Sequence, residues 1–360
     1  MSKITVTKPF LPPIELYSNL LNKIWDNNWL TNNGPVLKEL ESKLKSYLGI
    51  DNLIYVSNGT IAIQVGIKAL DLKGEIITTP FSYVATCSSI VWENCKPKFV
   101  DIDPLTWNIN PSKIEDAIGP NTCGIVATHV FGNPCDVECI EEVSKKYKLP
   151  VIYDAAHAFG TKYKNKSLFS YGDISTASFH ATKLFHTVEG GAIFTKNLDT
   201  LKKCTYMRNF GHKSPEEFHG LGINAKNSEF HAAMGLVNMN YINDILIKRK
   251  DQYLTYLNLL DNHESFQFQK IFKNTEYNYS YFPMLFENEK VLMKVKEGLE
   301  NKNIGTRRYF YPSLNDLPYV EKEWLKEAES ISSRVLCLPL FHDLKFSEIE
   351  NISKLVIKIV

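Results

Sequence analysis

The sequence predicts an α/β fold built around a mostly parallel, mixed sheet that is flanked by helices. Through the first two thirds of the 360 residues, short apolar runs typical of strands alternate with amphipathic helical patterns. Such alternation is typical of strand–helix–strand units, whose strands lie parallel in one sheet. Hydrophobic residues make up 44% and charged residues 22% of the chain, ordinary values for a globular protein.

The elements follow in order along the chain. Seven apolar runs predict the strands of the sheet, at residues 53–57, 75–79, 98–101, 124–129, 151–154, 174–178 and 192–195. Helices are predicted at residues 60–70 and 137–147, and Asp136 is a natural N-cap of the second. A long helical pattern then covers residues 229–260.

The last part of the chain predicts a smaller α+β domain. Its elements are a strand at residues 279–286 and helices at residues 290–301 and 347–356. We therefore expect a large domain of residues 14–245 and a small domain of residues 246–360, with residues 1–13 packed against the small domain.

Composition and charge argue against several classes of partner. The formal net charge is +1 and the longest basic run is residues 248–250, which predicts neither nucleic-acid nor membrane-surface binding. The first residues lack the apolar run of a secretory signal, and no stretch approaches the ~20 apolar residues of a membrane helix. The seven cysteines include Cys135 and Cys139, but no second cysteine or histidine pair lies at zinc spacing, so we expect no metal site. We expect the thiols to be reduced, in a cytoplasmic protein.

Three segments contain candidate functional residues. Asp154 ends an apolar strand, at the sheet edge where α/β proteins bind ligands, although such a residue also serves as a plain helix cap. Lys183 lies in a polar connection ahead of the glycine pair 190–191, where desolvation would make its amine nucleophilic, unless it is a solvated loop lysine. The run SNGT (57–60) precedes a helix and suits either an anion or a simple cap.

Taken together, these segments resemble a known family. The runs SNGT (57–60), TPFSYVAT (79–86), DAAHAFG (154–160) and SFHATK (178–183) occur in the order found in the DegT-type nucleotide-sugar aminotransferases, which are fold-type I pyridoxal-phosphate (PLP) enzymes. The resemblance extends from about residue 9 to residue 340. It implies PLP as the cofactor, a homodimer with shared active sites, and substrates that are a nucleotide-linked keto sugar and L-glutamate. Incorporation of the product into a surface polysaccharide such as O-antigen is the expectation for the family.

The resemblance also implies roles for individual residues. Lys183 would attach the cofactor as a Schiff base, and Asp154 would pair with its pyridine nitrogen. The other cofactor contacts implied are Gly59, Thr60 and Ser178 at the phosphate, Tyr83 against the ring face, His157 near the ring hydroxyl, and Asn224 at the phosphate of the neighbouring subunit. His157 stands where many relatives have Gln, and the run NAK (224–226) replaces the Asn-Tyr-Arg of many relatives. The substrate contacts implied are Arg307, Tyr309, Tyr311 and His180.

The expected reaction is transamination at C4 of dTDP-4-keto-6-deoxy-D-glucose. Some relatives are dehydratases with histidine in place of the lysine, so Lys183 favours transamination. The segments at residues 6–13 and 25–35 resemble C4 aminotransferases, whereas FHATKLF (179–185) is also similar to enzymes that aminate C3 of a dTDP-3-keto-6-deoxyhexose. Two other classes stay open: a PLP-binding regulator without turnover, and a metal hydrolase built on His129, Asp154 and His157.

Overall fold

The computed structural model describes residues 3–261 and 263–360. The strands within these residues are β1 Leu53–Val56, β2 Glu75–Thr78, β3 Lys96–Phe99, β4 Thr122–Thr128, β5 Val151–Asp154, β6 Lys162–Tyr163, β7 Lys166–Ser167, β8 Ile174–Ser178, β9 Gly191–Phe194, β10 Phe266–Phe268, β11 Thr275–Glu276, β12 Phe282–Phe286 and β13 Val335–Leu338. The α-helices are α1 Ile14–Asn27, α2 Pro35–Leu48, α3 Gly59–Ala69, α4 Val84–Trp92, α5 Ile114–Ala117, α6 Val137–Tyr147, α7 Leu198–Met207, α8 Glu229–Met239, α9 Ile242–Leu260, α10 Glu289–Glu300, α11 Lys326–Arg334 and α12 Phe346–Ile359.

The main sheet has seven strands in the order β1-β9-β8-β5-β4-β2-β3. Strand β9 runs antiparallel to both of its neighbours, and the other neighbouring pairs are parallel. These seven strands coincide with the predicted ones to within two residues at each end. The expectation of a mostly parallel, mixed sheet is therefore confirmed.

Helices cover both faces of this sheet, which is why strands such as β1 and β5 are buried at every position, whereas the edge strand β3, of sequence KPKF, is buried only at Phe99. In β5, Val151 and Tyr153 belong to one apolar core and Ile152 to the other, as the period of two along a strand requires. The buried side of α3 packs into the core that contains Ile152. Asp154, two residues further on, therefore points to the α3 side at the carboxyl end of β5.

A second core lies in the C-terminal part of the chain. The sheet β10-β12-β13 packs there against α9, α10 and α12. Ile4 pairs with Ile304 and packs on this core, whereas the carbonyl of Phe10 contacts His186 near the main sheet. Residues 1–2 of the N-terminal segment lie outside the described residues. The division of the chain at residue 245, which falls inside α9, stays a prediction.

The predicted helix over residues 229–260 is wrong as a single element, because it is two helices. Helix α8 ends at Met239 and α9 begins at Ile242. The Asn238 side chain at this junction is buried and donates to the carbonyl of His186 at 2.9 Å. This contact is long-range, and Asn238 and Asn240 are weak helix formers, which allows the chain to turn here from the first core to the second.

In residues 3–261 and 263–360, no helix combines the length and apolar character needed to cross a membrane.

Candidate active site

Five chain connections meet at one edge of the main sheet. They are the turn after β1, the segments that follow β2, β4 and β5, and the long connection from β8 to β9. The carboxyl ends of parallel strands share an edge, and because β9 is antiparallel its first residues lie there too. These connections enclose a cavity of about 210 Å³.

The cavity gathers residues that are distant in sequence. Ten of the predicted site residues line it: Gly59, Thr60, Tyr83, Asp154, His157, Ser178, His180, Lys183, Arg307 and Tyr309. Two do not line it. Asn224 is exposed beside Asn209, and Tyr311 is half-exposed and packs on the guanidinium of Arg308.

Asp154 lies at the bottom of the cavity and is held by two hydrogen bonds. Its Oδ2 accepts from the Thr86 hydroxyl at 2.6 Å, and its Oδ1 accepts from the backbone N–H of Ala156 at 3.1 Å. Burial raises the pKa of Asp154, because the charged form loses its hydration. The two hydrogen bonds and the charge of Lys183 act in the opposite direction on this pKa. A cationic partner in the cavity would complete the neutralisation of this carboxylate.

Lys183 lies in the connection between β8 and β9. Its backbone N–H donates to the carbonyl of His180 at 2.9 Å, and Phe179 N–H donates to the carbonyl of Gly190 at 2.7 Å. These bonds fold the connection back over the sheet edge. The pKa of Lys183 is lowered to about 8: burial has the largest effect, the carboxylate of Asp154 opposes it, and the charge of Arg307 acts in the same direction as burial. The solvated-loop interpretation is therefore wrong, and the amine is available for nucleophilic chemistry near neutral pH.

The turn after β1 forms a candidate anion site at the start of α3. The side chain of Asn58 caps this helix by accepting from Ile61 N–H at 2.8 Å, which leaves the first N–H groups of α3 facing the cavity. A Cβ on Gly59 would lie 2.9 Å from the Cβ of Ser178. Glycine at this position therefore lets the turn approach β8 and brings the Ser178 and Thr60 hydroxyls to the same end of the cavity.

His157 is buried in an aromatic environment. Its ring stacks parallel to Phe131 and Phe310 and is 4.7 Å from the centre of Tyr281. Burial, and then the nearby cations of Lys183 and Arg307, lower the pKa of His157 well below its ordinary value. The imidazole is therefore neutral. Its Nδ1 has no hydrogen-bond partner among the described residues.

The rim of the cavity is cationic and aromatic. The guanidinium of Arg307 lies over the Tyr309 ring, 4.1 Å from its centre. Tyr83 faces Tyr309 across the opening, with ring centres 6.0 Å apart. His180 lies 3.5 Å from the carboxylate of Glu189. Arg308, in contrast, points away from the cavity and pairs with Glu289 at 2.6 Å.

The structure adds lining residues that were not among the predicted site residues: Asn58, Ile63, Ser82, Ala85, Thr128, Ala156, Thr182 and Glu189. Ser82 is part of the run TPFSYVAT, so the motif itself contained this signal. His129 is absent from the lining: its ring stacks on Tyr153 at 4.6 Å. Within the described part of the chain, no three His, Cys, Asp or Glu side chains are grouped as metal ligands, which leaves the metal-hydrolase alternative without support.

These groups match the functional groups of PLP. The anion site of α3 suits its phosphate, and the buried carboxylate of Asp154 suits a protonated ring nitrogen. The unpartnered Nδ1 of His157 and the amine of Lys183 suit the hydroxyl and aldehyde of the ring. Fold and site therefore define a PLP-dependent aminotransferase.

Comparison with known proteins gives the same class. Residues 15–357 match the DegT/DnrJ/EryC1/StrS aminotransferase family, and the chain belongs to this family. It is 41% identical to a dTDP-4-amino-4,6-dideoxy-D-glucose transaminase of Shigella dysenteriae, over 97% of each chain.

Solved structures agree in fold. DesI, crystallised in the presence of its TDP-sugar product, matches with a TM-score of 0.94 at 28% identity, over 99% of this chain and 92% of DesI. NtdA from Bacillus subtilis, solved with the bound cofactor PMP, matches with a TM-score of 0.89 at 28% identity, over 96% of this chain and 81% of NtdA. The chain is accordingly a PLP-dependent sugar aminotransferase, and the expected fold-type I architecture is confirmed.

Proposed function

We propose that the chain transfers the amino group of L-glutamate to C4 of dTDP-4-keto-6-deoxy-D-glucose, giving dTDP-4-amino-4,6-dideoxy-D-glucose and 2-oxoglutarate. The observation that carries the proposal is the cavity in which Lys183 and Asp154 face each other, in a chain that matches the Shigella transaminase over 97% of its length. The match of residues 15–357 to an aminotransferase family argues against a regulator without turnover.

In this proposal, the described residues hold the cofactor by its distinct groups. Gly59, Thr60 and Ser178 bind the phosphate, and Asp154 keeps the ring nitrogen protonated. His157 orients the ring hydroxyl. When bound, PLP supplies the electron-withdrawing ring that makes the α-proton of the amino acid removable.

Lys183 has two tasks that follow from its environment. Its uncharged amine binds the cofactor covalently, and after release it moves protons at the reacting carbon as a general base and acid. A general base works best with a pKa near the operating pH, and burial brings the pKa of Lys183 to about 8. Asp154 limits this lowering, so the amine stays basic enough to hold the proton that it takes from the reacting carbon and to return it.

The rim residues recognise two anionic substrates in turn. Arg307 is placed to pair with a carboxylate of glutamate or with the diphosphate of the sugar nucleotide, because its guanidinium faces the opening. In this proposal Tyr83 lies against the face of the cofactor ring, and Tyr309 and His180, which also line the cavity, contact the sugar. Tyr311 contacts substrate in this proposal only through a movement or a second subunit, since it lies outside the cavity.

We also propose a homodimer in which Asn224 completes the phosphate site of the neighbouring subunit. Its exposed position outside its own cavity agrees with this arrangement. Intersubunit complementation tests it: Lys183→Ala and Asn224→Ala chains, each impaired alone, are co-expressed with different tags. The mixed dimer contains one site with both residues, so it regains activity. No gain in the purified mixed species would rule the shared site out.

The free thiols of all seven cysteines support a reducing, cytoplasmic location. There the product would serve, in this proposal, as an amino-sugar donor for a surface polysaccharide such as O-antigen.

The reaction is tested by product analysis. The PLP-loaded protein is incubated with glutamate and dTDP-4-keto-6-deoxy-D-glucose, and the product is identified by mass spectrometry and NMR. We expect the 4-amino sugar, its loss in Lys183→Ala, and its retention in Lys202→Ala, which removes an exposed lysine of α7. Borohydride reduction followed by peptide mapping should place the cofactor on Lys183. Amination of a dTDP-3-keto-6-deoxyhexose, with no product from the 4-keto sugar, would replace the C4 assignment by C3.

A further inference from the structure

A chain of three buried hydroxyl groups ends on the Asp154 carboxylate. Thr128 Oγ1 lies 3.0 Å from Ser82 Oγ, Ser82 Oγ lies 2.8 Å from Thr86 Oγ1, and Thr86 Oγ1 lies 2.6 Å from Asp154 Oδ2. All four residues are at most 5% exposed. The hydroxyls come from β4, from the loop after β2 and from α4, so the chain joins three elements behind the carboxylate.

With Asp154 ionised, the direction of each hydrogen bond in this series of hydroxyl groups is fixed. A hydroxyl has one proton to donate, and an ionised carboxylate only accepts. Thr86 therefore uses its proton on Asp154 and must accept from Ser82. Ser82 then has no proton left for Thr128, so Thr128 donates to Ser82. Each bond polarises the next, and all of them favour negative charge on Asp154.

We propose that Thr86 is a positioning residue that holds Asp154 ionised and correctly oriented for a protonated cofactor ring, with Ser82 and Thr128 polarising its hydroxyl. The inference rests on the proposed pairing of Asp154 with the ring nitrogen. Thr86 does not line the cavity, so its hydroxyl acts there through Asp154.

The burial of Asp154 is the reason such a device is needed. Loss of hydration raises the pKa of this carboxyl group, and the Thr86 hydroxyl is the largest of the contributions that lower it again. Without that hydroxyl, the carboxyl would be neutral over a wider range of acidic pH. A neutral carboxyl group cannot keep the ring nitrogen protonated.

Matched variants separate this role from simple packing. Thr86→Val has the same shape but no donor, and Thr86→Ser keeps the donor. Thr78→Val is the control: Thr78 is equally buried in β2, but its hydroxyl donates to the carbonyl of Val126 at 2.8 Å. For each holoenzyme, we would measure the ¹⁵N shift of ring-labelled PLP, the dissociation constant of PLP, and kcat/KM against pH.

Thr86→Val should move the ¹⁵N shift toward the unprotonated ring, lower kcat/KM about tenfold or more, and raise the acidic limb of the pH profile by about one unit. The sign follows because activity needs ionised Asp154, whose pKa rises in the variant. Thr86→Ser and Thr78→Val should keep the wild-type shift and profile. A Thr86→Val enzyme with both features unchanged would overturn the proposal.

Two further measurements keep the outcomes distinct. If the wild-type ring nitrogen is itself unprotonated, or Asp154→Asn changes nothing, the proposed role of Asp154 fails, and the role of Thr86 with it. If Thr86→Val does not fold, Ser82→Ala serves instead, since it removes the donor to Thr86; because Ser82 also lines the cavity, an unchanged dissociation constant of PLP shows that cofactor binding itself is preserved. It should shift the acidic limb in the same direction by a smaller amount, and an unchanged limb would overturn the proposal.

Discussion

One methyl group added at Gly190 should disturb the buried hydrogen bonds beside the connection that contains Lys183. A Cβ there would overlap the Thr187 hydroxyl oxygen and lie 2.7 Å from the hydroxyl oxygen of Tyr55. Both side chains are fully buried, and the Tyr55 hydroxyl donates to Thr187 Oγ1 at 2.8 Å. Asn227 donates to the same Tyr55 hydroxyl at 3.1 Å and to the carbonyl of Glu189 at 2.9 Å. The Gly190→Ala methyl group therefore enters a hydrogen-bond network that has no free space.

The expected loss of stability follows from two contributions. Overpacking of a well-packed site costs about 1–3 kcal/mol. Displacing the Thr187 hydroxyl breaks its bonds to Tyr55 and to the Glu189 carbonyl, at about 1 kcal/mol each. We expect Gly190→Ala to lower the free energy of unfolding by about 3–5 kcal/mol, a large part of the ~5–15 kcal/mol typical of folded proteins.

Urea unfolding of the apo-protein measures this change, and a double-mutant cycle tests its cause. Thr187→Ala removes the nearest clashing atom and both of its hydrogen bonds, so in that background Gly190→Ala should cost only the overpacking against Tyr55, about 1–3 kcal/mol. The resulting coupling is about 2 kcal/mol. Gly119→Ala is the control, because a Cβ there would meet only a carboxylate oxygen of Glu75 at 4.0 Å.

Additive effects of Gly190→Ala and Thr187→Ala would refute the reasoning, even if each variant is destabilised. A loss below about 0.5 kcal/mol for Gly190→Ala alone would refute it as well, because the turn would then relax freely.

Three further predictions concern single contacts. Glu229 is buried and accepts two backbone N–H groups in the first turn of α2 at 2.8 and 3.2 Å, so Glu229→Gln should lower the free energy of unfolding by about 2 kcal/mol. Urea unfolding should show no such loss for the exposed Glu216→Gln. In the apo-protein, Lys183→Met should be more stable than wild type at pH 7 by about 1–3 kcal/mol. The pKa of Lys183 is about 8 in the folded protein and 10.5 in the unfolded chain, so the unfolded chain binds more protons between these values. The stability difference between Lys183→Met and wild type should therefore shrink as pH rises toward 10.5. A stability difference that does not change with pH would contradict this. Gly59→Ala places a Cβ 2.9 Å from that of Ser178, so the dissociation constant of PLP should rise about tenfold or more in equilibrium titrations, and unchanged affinity would contradict the assigned phosphate site.

Much of the fold was predictable because it depends on local patterns. Most of the seven main strands lie in short, largely apolar runs, since helices cover both faces of the sheet, and α6 spans residues 137–147 as its N-cap Asp136 indicates. The helix break at residues 240–241 was missed, because the apolar pattern continues through it. The reason for the break is tertiary: α8 packs on one core and most of α9 on the other.

The candidate site divides in the same way. Lys183 and Asp154 could be found from motifs, because each motif is short and continuous. The contact of Thr86 with Asp154 joins residues 68 positions apart, and no spacing rule indicates it. Nor does the sequence distinguish Arg307 from Arg308: one lines the cavity and the other pairs with Glu289.

By itself, then, the sequence determined the strands, the family and the two residues proposed for the chemistry, since each depends on a short pattern of residue types. The tertiary structure decided which side chains share a cavity, which carboxylate is buried, and how far burial lowers the pKa of Lys183. Those properties depend on desolvation and on distances between elements, and both arise only when strand order brings five connections to one edge of the sheet.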